Sequence, residues 1–254
     1  MSRSDPIRVN YYNALECAEN IANVLFYFGA VISIASIFVT KERLPGLYGV
    51  IMVAFAVTVL SIFIVGVSVR LYFFPRAEDN RRREFFGKAY NVSLIHEKTD
   101  GYYNNDQVEP VRRIAAQVLE NSWFSKSIAL RILRLERAKV VIYFMAWFVC
   151  VYWRSADFGL ILAVSQAVFS EQVIAKYIRL EWLRSRCEDT YDRTRNLFNS
   201  CASDASFNAM AMELCSFYET SKSNAAITFP SSTFMKMNHS LSEEWGRIRI
   251  DLNI

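Results

Sequence analysis

Residues 47–69 read LYGVIMVAFAVTVLSIFIVGVSV, with no charged side chain among them. As an α-helix this stretch covers about 34 Å, more than the roughly 30 Å of a hydrocarbon core. Its centre, Ile51 to Leu60, is apolar on every side, whereas a soluble helix of that length normally keeps one polar face. It therefore reads as a membrane span, and Ile21 to Val39 as the span that precedes it. Two later stretches, Val140 to Trp153 and Phe158 to Ile174, are shorter, about 21 and 26 Å as helices. A core helix of a large soluble protein is the competing reading for each.

The pattern predicts an all-α membrane protein of two transmembrane helical hairpins (four spans), with a helical cytoplasmic insert and a C-terminal helical subdomain. A re-entrant or interfacial hairpin stays open for the second pair. The expected segments are an N-terminal cytoplasmic piece over 1–20, hairpin one over 21–74 and a basic insert over 75–138. Hairpin two follows over 139–176, then a cytoplasmic helical region over 177–254. The hydrophobic fraction of 53% and the mean hydropathy of +0.13 look mild because the charge lies almost wholly outside the four stretches.

Cations set the orientation. The connectors at 40–46 and 154–156 hold only Lys41, Arg43 and Arg154. Arg76, Arg81, Arg82, Arg83 and Lys88 follow span two; Arg131, Arg134, Arg137 and Lys139 precede span three; Lys176, Arg179, Arg184 and Arg186 follow span four. The positive-inside rule then places both termini and the insert in the cytoplasm of a cell whose inner membrane holds the spans. Tyr72, Phe73, Phe74, Tyr152, Trp153, Tyr177 and Trp182 stand where interfacial aromatics belong. Met1 to Asn20 is polar, so a cleavable signal peptide is not expected. Cys17, Cys150, Cys187, Cys201 and Cys215 are scattered, and neither a disulfide framework nor a metal site is expected from them.

Small residues such as Gly29, Ser33, Gly49, Ala56, Ser61 and Gly66 recur in the first two spans. They suit close packing of one hairpin, or self-association into a homo-oligomer. Near the end of span four Ser165, Gln166 and Ser170 can share a face. They read as pore-lining candidates or as the polar exit of a helix leaving the membrane. No charge stands mid-span, which argues against a proton relay or coupled transporter.

In the insert, Arg81-Arg82-Arg83 reads as a membrane-surface contact, each cation contributing on the order of 1 kcal/mol near anionic headgroups. Nucleic-acid binding is not expected, since no groove-reading motif accompanies the cluster. Tyr102, Tyr103, Asn104 and Asn105 are the candidate ligand-binding patch, with rings to stack a base and amides to read its edge. The alternative is a structured turn signalled by Asp100-Gly101. Pro110 should start a helix whose periodicity breaks at Glu120–Lys126, where Trp123, Phe124 and Lys126 suit a membrane surface or a subunit contact. Further helices are expected over Ser206–Ser221 and from Ser240 or Ser242 onward.

Catalysis finds little footing. His96 has Ser93, Glu97 and Asp100 nearby, but triads are recognised by geometry, not proximity in sequence. His239 lacks neighbours of metal-ligand spacing. No glycine-rich phosphate loop or dinucleotide fingerprint occurs. No catalytic residue, metal or cofactor is expected, and the chain does not read as an enzyme.

Two hairpins with tiny outer connectors, Gly101-Tyr102-Tyr103-Asn104-Asn105, Glu120–Lys126, and the tail Asn238–Asp251 with Trp245 resemble the four-transmembrane and SLATT-like effectors of bacterial anti-phage defence. The resemblance implies an oligomeric effector that permeabilises the inner membrane and halts growth, as in abortive infection. A nucleotide second messenger or a signalling partner protein would be its trigger. A constitutive channel-like or scaffold membrane protein is the alternative, and an integral membrane enzyme a distant one.

Overall fold

A computed structural model describes residues 5–39, 41–96, 99, 105–153, 158–200 and 202–254. All regular structure among these is helical: α1 Asn13–Phe38, α2 Pro45–Ser68, α3 Phe74–Tyr90, α4 Pro110–Tyr152, α5 Phe158–Val168, α6 Lys176–Asn199, α7 Asp204–Ala225 and α8 Ser231–Leu252. Turns of π-helix occupy Arg8–Tyr12, Val69–Phe73 and Glu171–Ala175. Each takes one extra residue per turn and so changes which side chains share a face before and after it.

The chain divides into two units. The helical unit comprises Met1–Asn13, Phe74–Leu133 and Arg179–Ile254; the apolar unit comprises Ala14–Phe73 and Arg134–Ile178. Two helical runs among the described residues, Arg8–Phe38 and Pro45–Tyr90, are long and apolar enough to cross a membrane. In their most apolar 18-residue stretches only 11% and 6% is buried. A soluble core helix would be mostly buried, so the competing reading loses ground for both. Helix α1 begins before the apolar stretch, at Asn13, and the helical run through α2 continues to Tyr90.

Within the apolar unit, α1 and α2 meet at Gly29. A Cβ there would lie 3.4 Å from Thr58 Cγ2, an ordinary contact distance, so the two helices pack closely at this point. Polar side chains are satisfied locally. Ser36 Oγ donates to Ser33 O and Thr58 Oγ1 to Ala54 O, both at 2.7 Å. The second hairpin departs from expectation. The fourth stretch is not one helix, because α5 ends at Val168 and the chain breaks at Phe169–Ser170, with Ser170 extended (φ −72°, ψ 164°) before the π-turn. Helix α5 covers about 16 Å, short of a crossing. Trp147 Nε1 donates to Ser165 Oγ at 2.8 Å, and Phe144, Trp147 and Phe169 pack edge to face, which fastens α4 to α5.

The helical unit buries Phe85, Ile114, Val118, Leu183 and Tyr218 in one cluster, and Leu119, Tyr191 and Trp245 in another. Pro110 opens α4 as its fixed φ favours. The expected interruption at Glu120–Lys126 is not found: α4 runs unbroken to Tyr152, since Leu119, Ser122, Ile128 and Ala129 keep a buried stripe through the polar stretch. Helix α7 passes Ser221 and ends at Ala226 in the left-handed conformation. Helix α8 starts nine residues before the expected Ser240, at Ser231. Pro230 occupies its N-cap, and Phe234 reaches Phe124, supplying the early contact the later start lacks. After α3 the chain folds back on itself. Asn91 takes φ 57°, Val92 N–H donates to Gly87 O at 3.0 Å, and any side chain at Gly87 would strike Val92 O. Arg113 then collects carbonyls of Lys88, Ala89 and Gln107.

Candidate functional site

The densest chemistry lies in the helical unit, where the segment before α1 meets α3 and α7. Five carboxylates and three cations gather there beside aromatic rings. Tyr12 Oη donates to Glu78 Oε1 at 2.7 Å, and Lys222 Nζ pairs with Glu78 Oε2 at 2.7 Å. Arg81 binds Asp5 at 2.8 Å and approaches Glu84 at 3.6 Å, its guanidinium lying over the Tyr12 ring. Arg82 joins Glu219 at 3.2 Å and Asp79 at 3.7 Å.

The local sequence explains the assembly. Phe74, Ala77, Glu78, Glu84 and Phe85 share the buried side of α3, so packing of the phenylalanines takes the acids inward. On α7 the spacing Leu214, Tyr218, Lys222, Ala225 carries the lysine into the same interior. Unpaired charges there would be strongly penalised; paired ones fix register between the elements.

Electrostatics follow from the pairing. Burial pushes the Glu78 carboxyl up, but Lys222, Tyr12 and Arg81 together hold it below its ordinary value. Burial pushes the Lys222 ammonium down, and Glu78 and Glu219 overcome that, raising it well above the usual lysine range. Burial, then Glu78, raises the Tyr12 phenol. The pair is therefore charged throughout the physiological range.

The network extends on both sides. Tyr218 Oη and Ser125 Oγ share a hydrogen bond of 3.1 Å. Burial raises the Cys187 and Cys215 thiols to about 12, which leaves them protonated and weakly nucleophilic. At the far side, Glu84 Oε1 accepts from Thr99 N–H at 2.7 Å and also from Thr99 Oγ1, and Lys88 Nζ donates to Thr99 O at 2.8 Å.

The expected site residues fare differently. Tyr102, Tyr103 and Asn104 lie outside the described residues. Asn105 Oδ1 accepts from Gln107 N–H at 3.3 Å. Arg81 and Arg82, expected at a membrane surface or subunit contact, pair with Asp5 and Glu84 and with Glu219 and Asp79 respectively; Arg83 is exposed. Lys126 stands over Tyr191 (3.5 Å to the centroid) and Trp123 (5.0 Å). Trp123 also meets Tyr191, and Phe124 meets Phe234, so all three make contacts inside the helical unit. Ser165 accepts from Trp147 and donates to Ile161 O. Ser170 Oγ donates to Ala167 O, while Gln166 is exposed. Sequence reasoning overlooked Tyr12, Glu78 and Lys222. The available signal was an acid inside the apolar spacing Phe74, Ala77, Phe85.

Among the described residues no group of three His, Cys, Asp or Glu has metal-holding geometry. Comparison with known protein families, with curated proteins and with solved structures gives no match. What fold and site define is a class: an all-helical protein with two helices able to span a membrane and a separate, charge-stapled helical unit.

Proposed function

We propose that this chain is a multi-pass effector of a bacterial inner membrane, acting in anti-phage defence. On this reading α1 and α2 cross the bilayer and both termini, with the helical unit, face the cytoplasm. The second hairpin enters the bilayer in re-entrant form, the form that the 11 residues of α5 support. A nucleotide second messenger or a signalling partner protein acts on the helical unit, and copies of the chain assemble and perturb or permeabilise the membrane.

The observation that carries this reading is the inverted burial of the longest apolar helices beside a unit whose own apolar residues are buried. Support also comes from the chain path, since helical runs through the network residues continue into the apolar stretches at Pro45–Tyr90 and Pro110–Tyr152. Displacement of a charge-paired helix is the kind of two-state event that can bias a distant segment.

The test is induction of the gene, alone and with its neighbouring genes, during phage challenge, with membrane potential followed by a voltage-sensitive dye. Collapse of the potential and growth arrest are expected on activation. A steady potential under every challenge would overturn the effector reading in favour of a constitutive scaffold.

A further inference from the structure

The chain passes between its two units four times, after Asn13, Phe73, Leu133 and Ile178. A turn of π-helix stands at or just before three of these crossings, over Arg8–Tyr12, Val69–Phe73 and Glu171–Ala175. The fourth crossing lies inside α4, which is α-helical throughout. π-Helix makes up under about 1% of residues in folded proteins, mostly as single turns at functional positions. Its recurrence at three of four crossings is therefore not a scatter of helix irregularities.

The turn over Val69–Phe73 is the best defined. It interrupts the single helical run Pro45–Tyr90. On one side of it Thr58 packs toward Gly29, and on the other Glu78 is held by Tyr12 and Lys222. A π-turn holds one residue more than an α-turn for nearly the same rotation, so the flanks keep the phase of a helix one residue shorter. Taking that spare residue into α geometry would turn one flank against the other by about 100°. The residues just before it ease such a change. Gly66 has open space where a Cβ would stand and lowers helix propensity. Ser68 Oγ donates to Ile64 O at 2.8 Å, a bond that loosens the ladder, and Val69 N–H is divided between Val65 O and Gly66 O.

We propose that the π-turn over Val69–Phe73 is a register joint. By giving up its spare residue it rotates α2 about its own axis by one residue while α3 keeps its ion pairs. The rotation falls on α2 because only Thr58 is buried there, whereas α3 is fixed by Glu78, Arg81 and Arg82. Two packings of one helix make a two-state element of the kind that switching proteins use. The inference rests on the effector reading for its part in signalling, and names the moving element which that reading leaves open.

Cysteine pairs in the full chain, oxidised in nanodiscs and scored in the monomer by mass spectrometry, read the register. G29C/T58C reports the packing seen here and should cross-link both in the natural chain and after deletion of Leu71, a residue 73% exposed, because the deletion removes only the spare residue. G29C/V57C or G29C/V59C should cross-link roughly 10- to 1,000-fold more slowly, as a minor state populated at about 0.1–10% would, and not at all after that deletion. Deletion of Leu135 from α4, where no residue is spare, should lower the unfolding temperature. The chain lacking Leu71 should remain in the membrane at its usual level and fail to collapse the potential. Loss of the G29C/T58C bond on deletion of Leu71 overturns the joint. So does absence of both neighbouring bonds from the natural chain, their persistence without Leu71, or equal tolerance of the Leu135 deletion. A chain that shows the expected cross-links but never shifts the potential overturns the effector reading and leaves the joint standing.

Discussion

In the apolar unit Val24, Val31, Val53 and Phe63 are each about two-thirds exposed, whereas in the helical unit Leu119, Leu133 and Leu180 are fully buried. Polar groups show the reverse contrast. The apolar unit satisfies its hydroxyls by short bonds to the preceding turn, as at Ser36, Thr58 and Ser165. The helical unit sets full charges against one another across distant segments, as at Glu78 and Lys222. On the proposed membrane reading, hydrocarbon around the apolar unit would account for the first pattern, since it accepts apolar surface and supplies no partner for a polar atom. On the same reading, water around the helical unit would account for the second, since it expels apolar surface and leaves interior charges to find partners.

The strongest challenge to this contrast is a charge placed on each surface. Val53→Arg with Val57→Arg should cost about 2.5–3.5 kcal/mol per site if those residues face lipid, and the protein should vanish from the carbonate-resistant membrane fraction. Met210→Arg, on an exposed position of α7, should change stability by about 0.5 kcal/mol or less. Equal tolerance of both would abolish the distinction.

Breaking the pair in the helical unit comes next. Glu78→Leu or Lys222→Met should each destabilise by about 3–5 kcal/mol, because one charge is left buried alone, and the double variant should regain most of the loss. Thermal unfolding of the four proteins in one detergent measures this. Additive losses would show that the two groups do not act as a pair.

A pH series sharpens the same point. Glu78 is held below its ordinary 4.5, so the stability it contributes is present above that value and fades as pH falls below it. Lys222 and Tyr12 are raised above 10.5 and 10.0, so their contribution is complete below those values and fades as pH climbs past them. Stability should form a plateau between the two limbs, and Glu78→Gln should flatten the acid one. An unchanged acid limb in that variant would assign the effect to other carboxylates. A smaller loss is expected in the apolar unit. Trp147→Phe removes the bond to Ser165 and should cost about 0.6 kcal/mol, the usual worth of an interhelical hydrogen bond in a membrane. A double-mutant cycle with Ser165→Ala would measure it.

Much of the fold was legible in the residues. The two helices able to cross a membrane announce themselves by composition alone, since a run such as Ile51–Leu60 has no polar face to give to water. Pro110 marked the start of α4 because a fixed φ suits a first helical turn. Boundaries set by packing were not legible. The unbroken course of α4 through Glu120–Lys126 depends on Tyr191 and Phe234, which meet its aromatics from elsewhere in the chain. The early start of α8 and the break at Phe169–Ser170 were hidden for the same reason.

The chain's own order of residues determined its helical class and which stretches shun water, because hydropathy and periodicity are summed along neighbouring positions. Tertiary structure alone decided that Arg81 and Arg82 turn to Asp5 and Glu219, and that Tyr12, Glu78 and Lys222 meet. A charge reads the same in sequence whether it faces solvent or a partner. Its role is fixed only when folding brings an opposite charge to hydrogen-bonding distance and removes the water between them.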